Sequence, residues 1–353
     1  MKRTGGDPFL SRFPAPGLRE TLKEALLGLR RPLACVQVEV TSRCPGRCRY
    51  CPHTVLRDTW RGGDLDCETF GRLWPLLRRS LRVHLQGWGE PLLHPEFFTL
   101  AALARRAGCQ VSTTTCGLHL DEKLARRIVA SGIDIVAFSL AGSDAATHEA
   151  ARCGVGFERV LAAVETLQAE RRKRQAVHLE IHFAYLLLYS ALDSVAGLPA
   201  LMERLGVHAA VVSTLDFLPD ASLAAEAIRP GEQEKIARAA EVLSRAAAAA
   251  RARGLAFDYA LPAVEIRAPC RERVDRSLFV AADGTVSPCV YRNIPAGALE
   301  GRRLVFGQIP EEDPVAIWEK ESFRRFRERL AAGEPDAVCR CCPKRFGTAG
   351  GGG

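Results

Sequence analysis

Three cysteines in the stretch EVTSRCPGRCRYCPHTVL, Cys44, Cys48 and Cys51, stand in a C-x3-C-x2-C arrangement. They follow the alternating apolar residues Val36, Val38 and Val40, so a strand runs into a loop that brings three thiols to one small volume. Three thiolates are one short of the four ligands that a [4Fe–4S] cube normally takes. The fourth ligand then comes from elsewhere in the chain or from a small molecule at the open iron. Zinc is the competing chemistry, with His53 as fourth donor, since three cysteines and a histidine form a common zinc set.

A second thiol group lies near the other end of the chain. The text SLFVAADGTVSPC has the pattern of a hairpin turning at Asp283-Gly284, which would bring Cys270 and Cys289 together. Cys339 and Cys342 form a C-x2-C pair after a helical stretch at Val315–Leu330. Two such pairs make a four-thiolate site, suited to zinc or to a second iron–sulfur cluster. Cys341, adjacent to Cys342, should point elsewhere, either as a buried spare thiol or as a thiol facing the substrate site.

Between these groups lie candidate binding residues. Gly87-Trp88-Gly89-Glu90-Pro91 follows the second strand expected from the sequence; its glycines allow close backbone approach to a ligand, and Glu90 adds a carboxylate. Thr113, Thr114 and Thr115 close the third strand before Cys116-Gly117, where their hydroxyls either face a ligand or cap the next segment. Ser139 ends the fourth strand, and Arg152 offers a planar fork that matches a carboxylate. His84, His178 and His182 alternate with apolar residues and read as satisfied core histidines. Cys35, Cys67, Cys109 and Cys153 have no mutual spacing and read as small buried hydrophobes.

The elements that position these residues alternate regularly. Strands are expected at Val36–Val40, Arg82–Gln86, Gln110–Thr114, Ile135–Leu140, Val177–Tyr185 and Ala209–Thr214. Helices are expected near Cys67–Arg79, Pro95–Ala107, Asp121–Ser131, Glu158–Arg172 and Leu192–Leu205, several ending on glycine. A long helix follows from about 230 to 253. Six βα units with short connections imply an α/β fold with a parallel sheet, active-site residues sitting at the carboxyl ends of its strands. The expected division is an N-terminal arm at 1–34 with a short helix near 18–29, a main domain at 35–254, a small cysteine-bearing domain at 255–346, and a glycine-rich tail at 347–353.

Bulk properties narrow the function classes. The chain has 353 residues, 47% hydrophobic and 25% charged, an ordinary balance for a globular protein. No long apolar run or secretory signal is visible, which points to the cytoplasm and away from membranes. Thirteen cysteines, an odd number, favour metal or redox work over a disulfide framework. The net charge of +8 is moderate, and the basic run Arg171, Arg172, Lys173 and Arg174 reads as a solvated helix end, so nucleic acid is not an expected partner.

Cys44, Cys48 and Cys51, with Tyr50 before the last cysteine, resemble the signature of the radical S-adenosylmethionine (radical SAM) enzymes. GWGEP resembles that family's GGEP element, with Trp88 where a glycine is common, and Cys116 stands where a TNG-like sequence would place asparagine. The resemblance implies a partial (β/α)6 barrel, SAM chelated at a [4Fe–4S] cluster on Cys44, Cys48 and Cys51, and SAM contacts from Tyr50, Gly87, Trp88, Gly89, Glu90, Thr114, Ser139 and Arg152. The later cysteines resemble the SPASM/twitch extension in its short form, implying one auxiliary [4Fe–4S] cluster on Cys270, Cys289, Cys339 and Cys342. The implied activity is reductive SAM cleavage and hydrogen abstraction, fed by an external donor of flavodoxin or ferredoxin type. A small-molecule substrate is expected, because the arm is short for a leader-binding domain. A peptide-modifying maturase is the alternative, and a non-enzymatic zinc or iron–sulfur scaffold is the alternative of another class.

Overall fold

The computed structural model describes residues 7–14, 31–60, 62–266, 270–295 and 302–350. The helix expected near 18–29 lies outside them. Six parallel strands form the centre: β1 (Leu33–Val38), β2 (Ser80–Leu85), β3 (Gln110–Thr115), β4 (Ile135–Leu140), β5 (Glu180–Leu187) and β6 (Ala209–Thr214). Each pairs in parallel with the next. Their period-2 sequences separate two faces. Val136, Phe138 and Leu140 on β4, and Ile181, Phe183, Tyr185 and Leu187 on β5, are buried in the main core. Burying each such side chain contributes about 1.5–3 kcal/mol. The alternate, half-buried set includes Thr114, Ser139, Ala184 and Ser213, all of which line the central cavity.

Helices Phe97–Arg106, Glu122–Ser131, Phe157–Lys173 and Gln233–Arg251 lie close to their expected places. Gly132 and Gly206 close helices in the left-handed conformation, at φ 74° and 65°, where a Cβ would be strained. Three expected helices are broken. Cys67–Arg79 divides into Cys67–Arg72 and Trp74–Leu77, with Pro75 unable to donate a helical hydrogen bond. Leu192–Leu205 becomes a 3-10 stretch, Tyr189–Gly197, and then Leu198–Leu205. Val315–Leu330 becomes Pro314–Glu319 and Glu321–Ala331, bent at the extended Lys320.

Beyond residue 255 the βα rhythm ends but the sheet does not. Strand β7 (Ala256–Ile266) lies parallel beside β6, with Ala209 opposite Ala256. Strand β8 (Ser277–Val280) lies parallel beside β1 at the other edge, with Cys35 opposite Ser277 and Val38 opposite Val280. The hairpin then forms as expected: β9 (Thr285–Ser287) runs antiparallel to β8, and Gly284 takes φ 80°. A Cβ at Gly284 would stand 2.1 Å from the carbonyl oxygen of Ile309, so the turn admits no side chain. Strands β10 (Gly307–Gln308) and β11 (Phe346–Gly350) complete an 11-stranded sheet in the order β10-β9-β8-β1-β2-β3-β4-β5-β6-β7-β11. Among the described residues no helix is long and apolar enough to cross a membrane.

Candidate active site and a second thiol site

At the carboxyl ends of the parallel strands lies a cavity of about 280 Å³. Its lining includes Cys44, Cys48, Cys51 and all eight residues expected around SAM: Tyr50, Gly87, Trp88, Gly89, Glu90, Thr114, Ser139 and Arg152. Cys116, which stands in place of an asparagine, also lines it, as do Gln86, Val211 and Ser213, which were not singled out from the sequence. They sit at or near strand ends on the inward-facing alternation, which is the signal that could have found them. His53 is absent from the lining; its ring packs edge-on against Trp60 at 5.3 Å.

The GWGEP loop is held by close packing and by Glu39. A Cβ at Gly89 would fall 2.0 Å from the Thr41 carbonyl oxygen, and one at Gly87 would fall 2.4 Å from Glu39 Cβ. The close approach that these glycines permit is therefore to the chain leading into the cysteine loop, in addition to any ligand. Glu39 Oε1 accepts from the Trp88 amide at 2.7 Å, and the Glu90 amide donates to the Arg43 carbonyl at 2.8 Å. The Glu90 carboxylate accepts from the Thr115 hydroxyl at 2.6 Å and the Cys116 amide at 2.7 Å. Thr113 is used elsewhere, donating to the Leu85 carbonyl at 2.8 Å, which leaves Thr114 as the threonine of the trio that lines the cavity. A carboxylate has about four lone-pair sites, so Glu90 keeps acceptor capacity for a cationic group in the cavity.

Arg152 is brought to the cysteine loop by a short antiparallel pairing, Cys48 with Arg152 and Arg47 with Cys153. It is buried; its Nη1 donates to the Tyr50 hydroxyl at 2.7 Å, while its Nε has no hydrogen-bond partner among the described residues. A buried guanidinium with a free donor suits an anion. Arg152 and Glu90 on one cavity therefore match the carboxylate and ammonium of an α-amino-acid group.

A Cβ at Gly46 would stand 3.6 Å from Cys44 Sγ and 3.7 Å from Cys48 Sγ, so both thiols turn toward the same side of the loop. Burial pushes Cys44 up to about 11 and Cys51 up to about 12, with neighbouring thiols adding to the effect at each. Thiolates here need a cationic centre, and metal coordination supplies one. Among the described residues no three donors converge closely enough to hold a single metal ion. Cys44, Cys48 and Cys51 would instead each hold a different iron of a four-iron cluster.

The second thiol site is narrower. Cys270, Cys289, Cys339 and Cys342 line one small cavity with Arg292, Lys344 and Arg345. Arg292 donates to Asp336 at 2.9 Å, yet its Nε and Nη1, and Arg345 Nε, have no partner among the described residues. Burial holds Cys289 well above the usual thiol range, reinforced by Glu272 and the three other thiols. Buried guanidinium N–H groups left without a partner among the described residues, beside four thiols, fit an anionic iron–sulfur cluster. These cations were missed from the sequence although they stand within three residues of a cysteine. Cys341 does not line this cavity; it is exposed and faces a separate groove. An aromatic wall joins the two sites: Trp88 of the central cavity packs edge-on against Tyr291 of the second at 5.7 Å.

Residues 38–183 match the radical SAM superfamily, and residues 270–343 match an iron–sulfur cluster-binding (SPASM) domain. The chain is 28% identical over 323 residues to the PqqA peptide cyclase of Ruegeria pomeroyi, covering 89% of this chain and 80% of that one. It is 24% identical over 319 residues to the tungsten-containing aldehyde ferredoxin oxidoreductase cofactor-modifying protein of Pyrococcus furiosus, covering 82% of each. The fold is shared with Streptococcus suis SuiB bound to S-adenosylmethionine, at TM-score 0.63 and 13% identity over 95% of this chain and 77% of that one. SuiB has also been seen with its precursor peptide SuiA. SAM and iron–sulfur clusters are thus the cofactors, and the chain belongs to the radical SAM enzymes with a C-terminal SPASM-type iron–sulfur domain.

Proposed function

We propose that this enzyme modifies a peptide. The similarity to a PqqA peptide cyclase over most of both chains carries this reading, and it favours a peptide over the small-molecule substrate expected from the sequence. Cys44, Cys48 and Cys51 would hold a [4Fe–4S] cluster and Cys270, Cys289, Cys339 and Cys342 a second, and reductive cleavage of bound SAM supplies a 5′-deoxyadenosyl radical that abstracts hydrogen from substrate. Glu90, fixed by Thr115 and Cys116, takes the ammonium of the methionine moiety, and Arg152 its carboxylate. Thr114 and Ser139 face the rest of the ligand, while Trp88, backed by Tyr291, walls the cavity against water. An external one-electron donor of flavodoxin or ferredoxin type would drive turnover in the cytoplasm.

A small-molecule substrate is the second reading, favoured by the Pyrococcus furiosus relative named for cofactor modification. Anaerobic incubation of the reconstituted enzyme with SAM, reductant and either short peptides or small metabolites encoded or made by neighbouring genes separates the two. A peptide that loses hydrogen mass in step with 5′-deoxyadenosine formation supports the first. Coupling to a small molecule alone would reject it.

A further inference from the structure

Beside the second thiol site runs a groove of about 650 Å³, between the segment 215–230 that leaves β6 and the segment 337–346. Phe217, Ile228 and Tyr291 give it apolar walls. Its inner end reaches both sites already described, because Tyr291 also lines the four-thiol cavity and packs on Trp88 of the central cavity. Arg229, Arg302 and Arg340 line the same groove, and none of them forms an ion pair among the described residues. The groove's buried acid, Asp216, is already engaged by Lys344 at 3.1 Å. Arg302 lies over the Phe217 ring at 4.7 Å, which fixes one face of its guanidinium on the wall and leaves its edge available.

Three guanidiniums without a carboxylate partner among the described residues line one apolar channel, and an acidic partner would pair with them while apolar side chains fill the walls. We infer that this groove is the docking channel of the substrate peptide and that it takes a segment mixing acidic with apolar side chains. The inference rests on the peptide-modifying reading above. Charge complementarity sets orientation and encounter rate, and aromatic walls supply contact area at low entropy cost. A chain seated there passes the auxiliary site and presents its next residues at the Trp88 wall.

The test uses the full, iron-loaded enzyme with SAM and two fluorescent peptides, one alternating Glu with Leu and one alternating Lys with Leu, read by anisotropy. Wild type should prefer the acidic peptide by about tenfold or more, less at high salt. The exposed pair Arg229→Glu/Arg340→Glu should lose about tenfold or more for the acidic peptide and gain for the basic one. Iron content and peptide-independent 5′-deoxyadenosine formation should stay at wild-type level. The milder Arg229→Gln/Arg340→Gln pair should fall between if the reversed variant loses iron. Acidic-peptide affinity equal in wild type and both variants overturns the groove while leaving the peptide reading intact. Binding of neither peptide to wild type overturns the inference and counts against the peptide reading itself. An RNA oligonucleotide that displaces the acidic peptide from wild type but does not bind the reversed variant would reassign the groove to nucleic acid.

Discussion

The two thiol sites of this chain are built on opposite terms. The first offers three thiols on one loop, a carboxylate and one buried arginine around a cavity of about 280 Å³. The second offers four thiols from three segments in a cavity of about 30 Å³, lined by cations of which Arg292 and Arg345 keep buried N–H groups without a partner among the described residues. The first has room and unsatisfied polar atoms for a ligand that enters and leaves. The second has room only for what the thiols hold. A three-thiol site that admits its last ligand from solution can turn over, whereas a four-thiol one leaves no position open for a ligand.

Removing the thiols tests this contrast most severely. Cys44→Ala/Cys48→Ala/Cys51→Ala is expected to abolish 5′-deoxyadenosine formation while keeping about four irons at the second site, measured by iron and sulfide analysis. Full activity in that variant would reject the assignment. Cys339→Ala or Cys342→Ala should lose about four irons, and Cys341→Ala should lose none, since Cys341 faces the groove. Loss of iron from Cys341→Ala would show that Cys341 is a ligand.

Two smaller effects sharpen the first site. Glu90→Gln replaces an acceptor with an amide donor facing the Thr115 hydroxyl or Cys116 amide, and removes a charge-assisted contact worth about 1.5–3 kcal/mol. SAM affinity should fall about tenfold or more in equilibrium binding, with iron content kept. Unchanged affinity would reduce GWGEP to a structural turn. Burial raises Glu39 to about 7 from an ordinary 4.5, opposed by the Trp88 and Ala282 amides. The folded chain therefore holds a proton that the unfolded chain releases, and stability is greatest below the unfolded value and declines as pH rises through about 7. Glu39→Gln should remove a decline on the order of 1–3 kcal/mol between about pH 5 and 8, read from denaturation midpoints. An equal decline in both proteins would mean that Glu39 is not the titrating group.

Period-2 alternation made the six central strands legible, and cysteine spacing made both thiol sets legible, because each signal is local. The pairing of β1 with β8 was not, since two strands some 240 residues apart carry no mark of partnership. Pro75 and Lys320 broke helices whose apolar pattern runs on past them, so the period alone overstated their length. At the site, the cysteines and the residues expected around SAM were readable, while Gln86, Val211 and Ser213 and the residues that hold the loop in place were not. Nothing in the sequence ties Glu39 to the Trp88 and Ala282 amides, or Thr115 to Glu90. Arg292 and Arg345 carry no mark in the sequence that sets them apart from surface charges, and only the fold buries them beside the thiols.

The seating of β1 between β2 and β8 has a consequence for how the protein is made. A ribosome releases β1 and its cysteine loop long before Ser277–Val280 emerges, so for most of synthesis the strand that carries the first thiols has an open edge. Only when the last quarter of the chain arrives does β8 cover that edge, and Ala282 then reaches Glu39 beneath the GWGEP loop. Iron delivered earlier would meet thiols on an unfinished scaffold. The order of residues in the chain therefore imposes an order on assembly, in which β1 keeps an unpaired edge until β8 emerges, and an unpaired strand edge is an aggregation hazard.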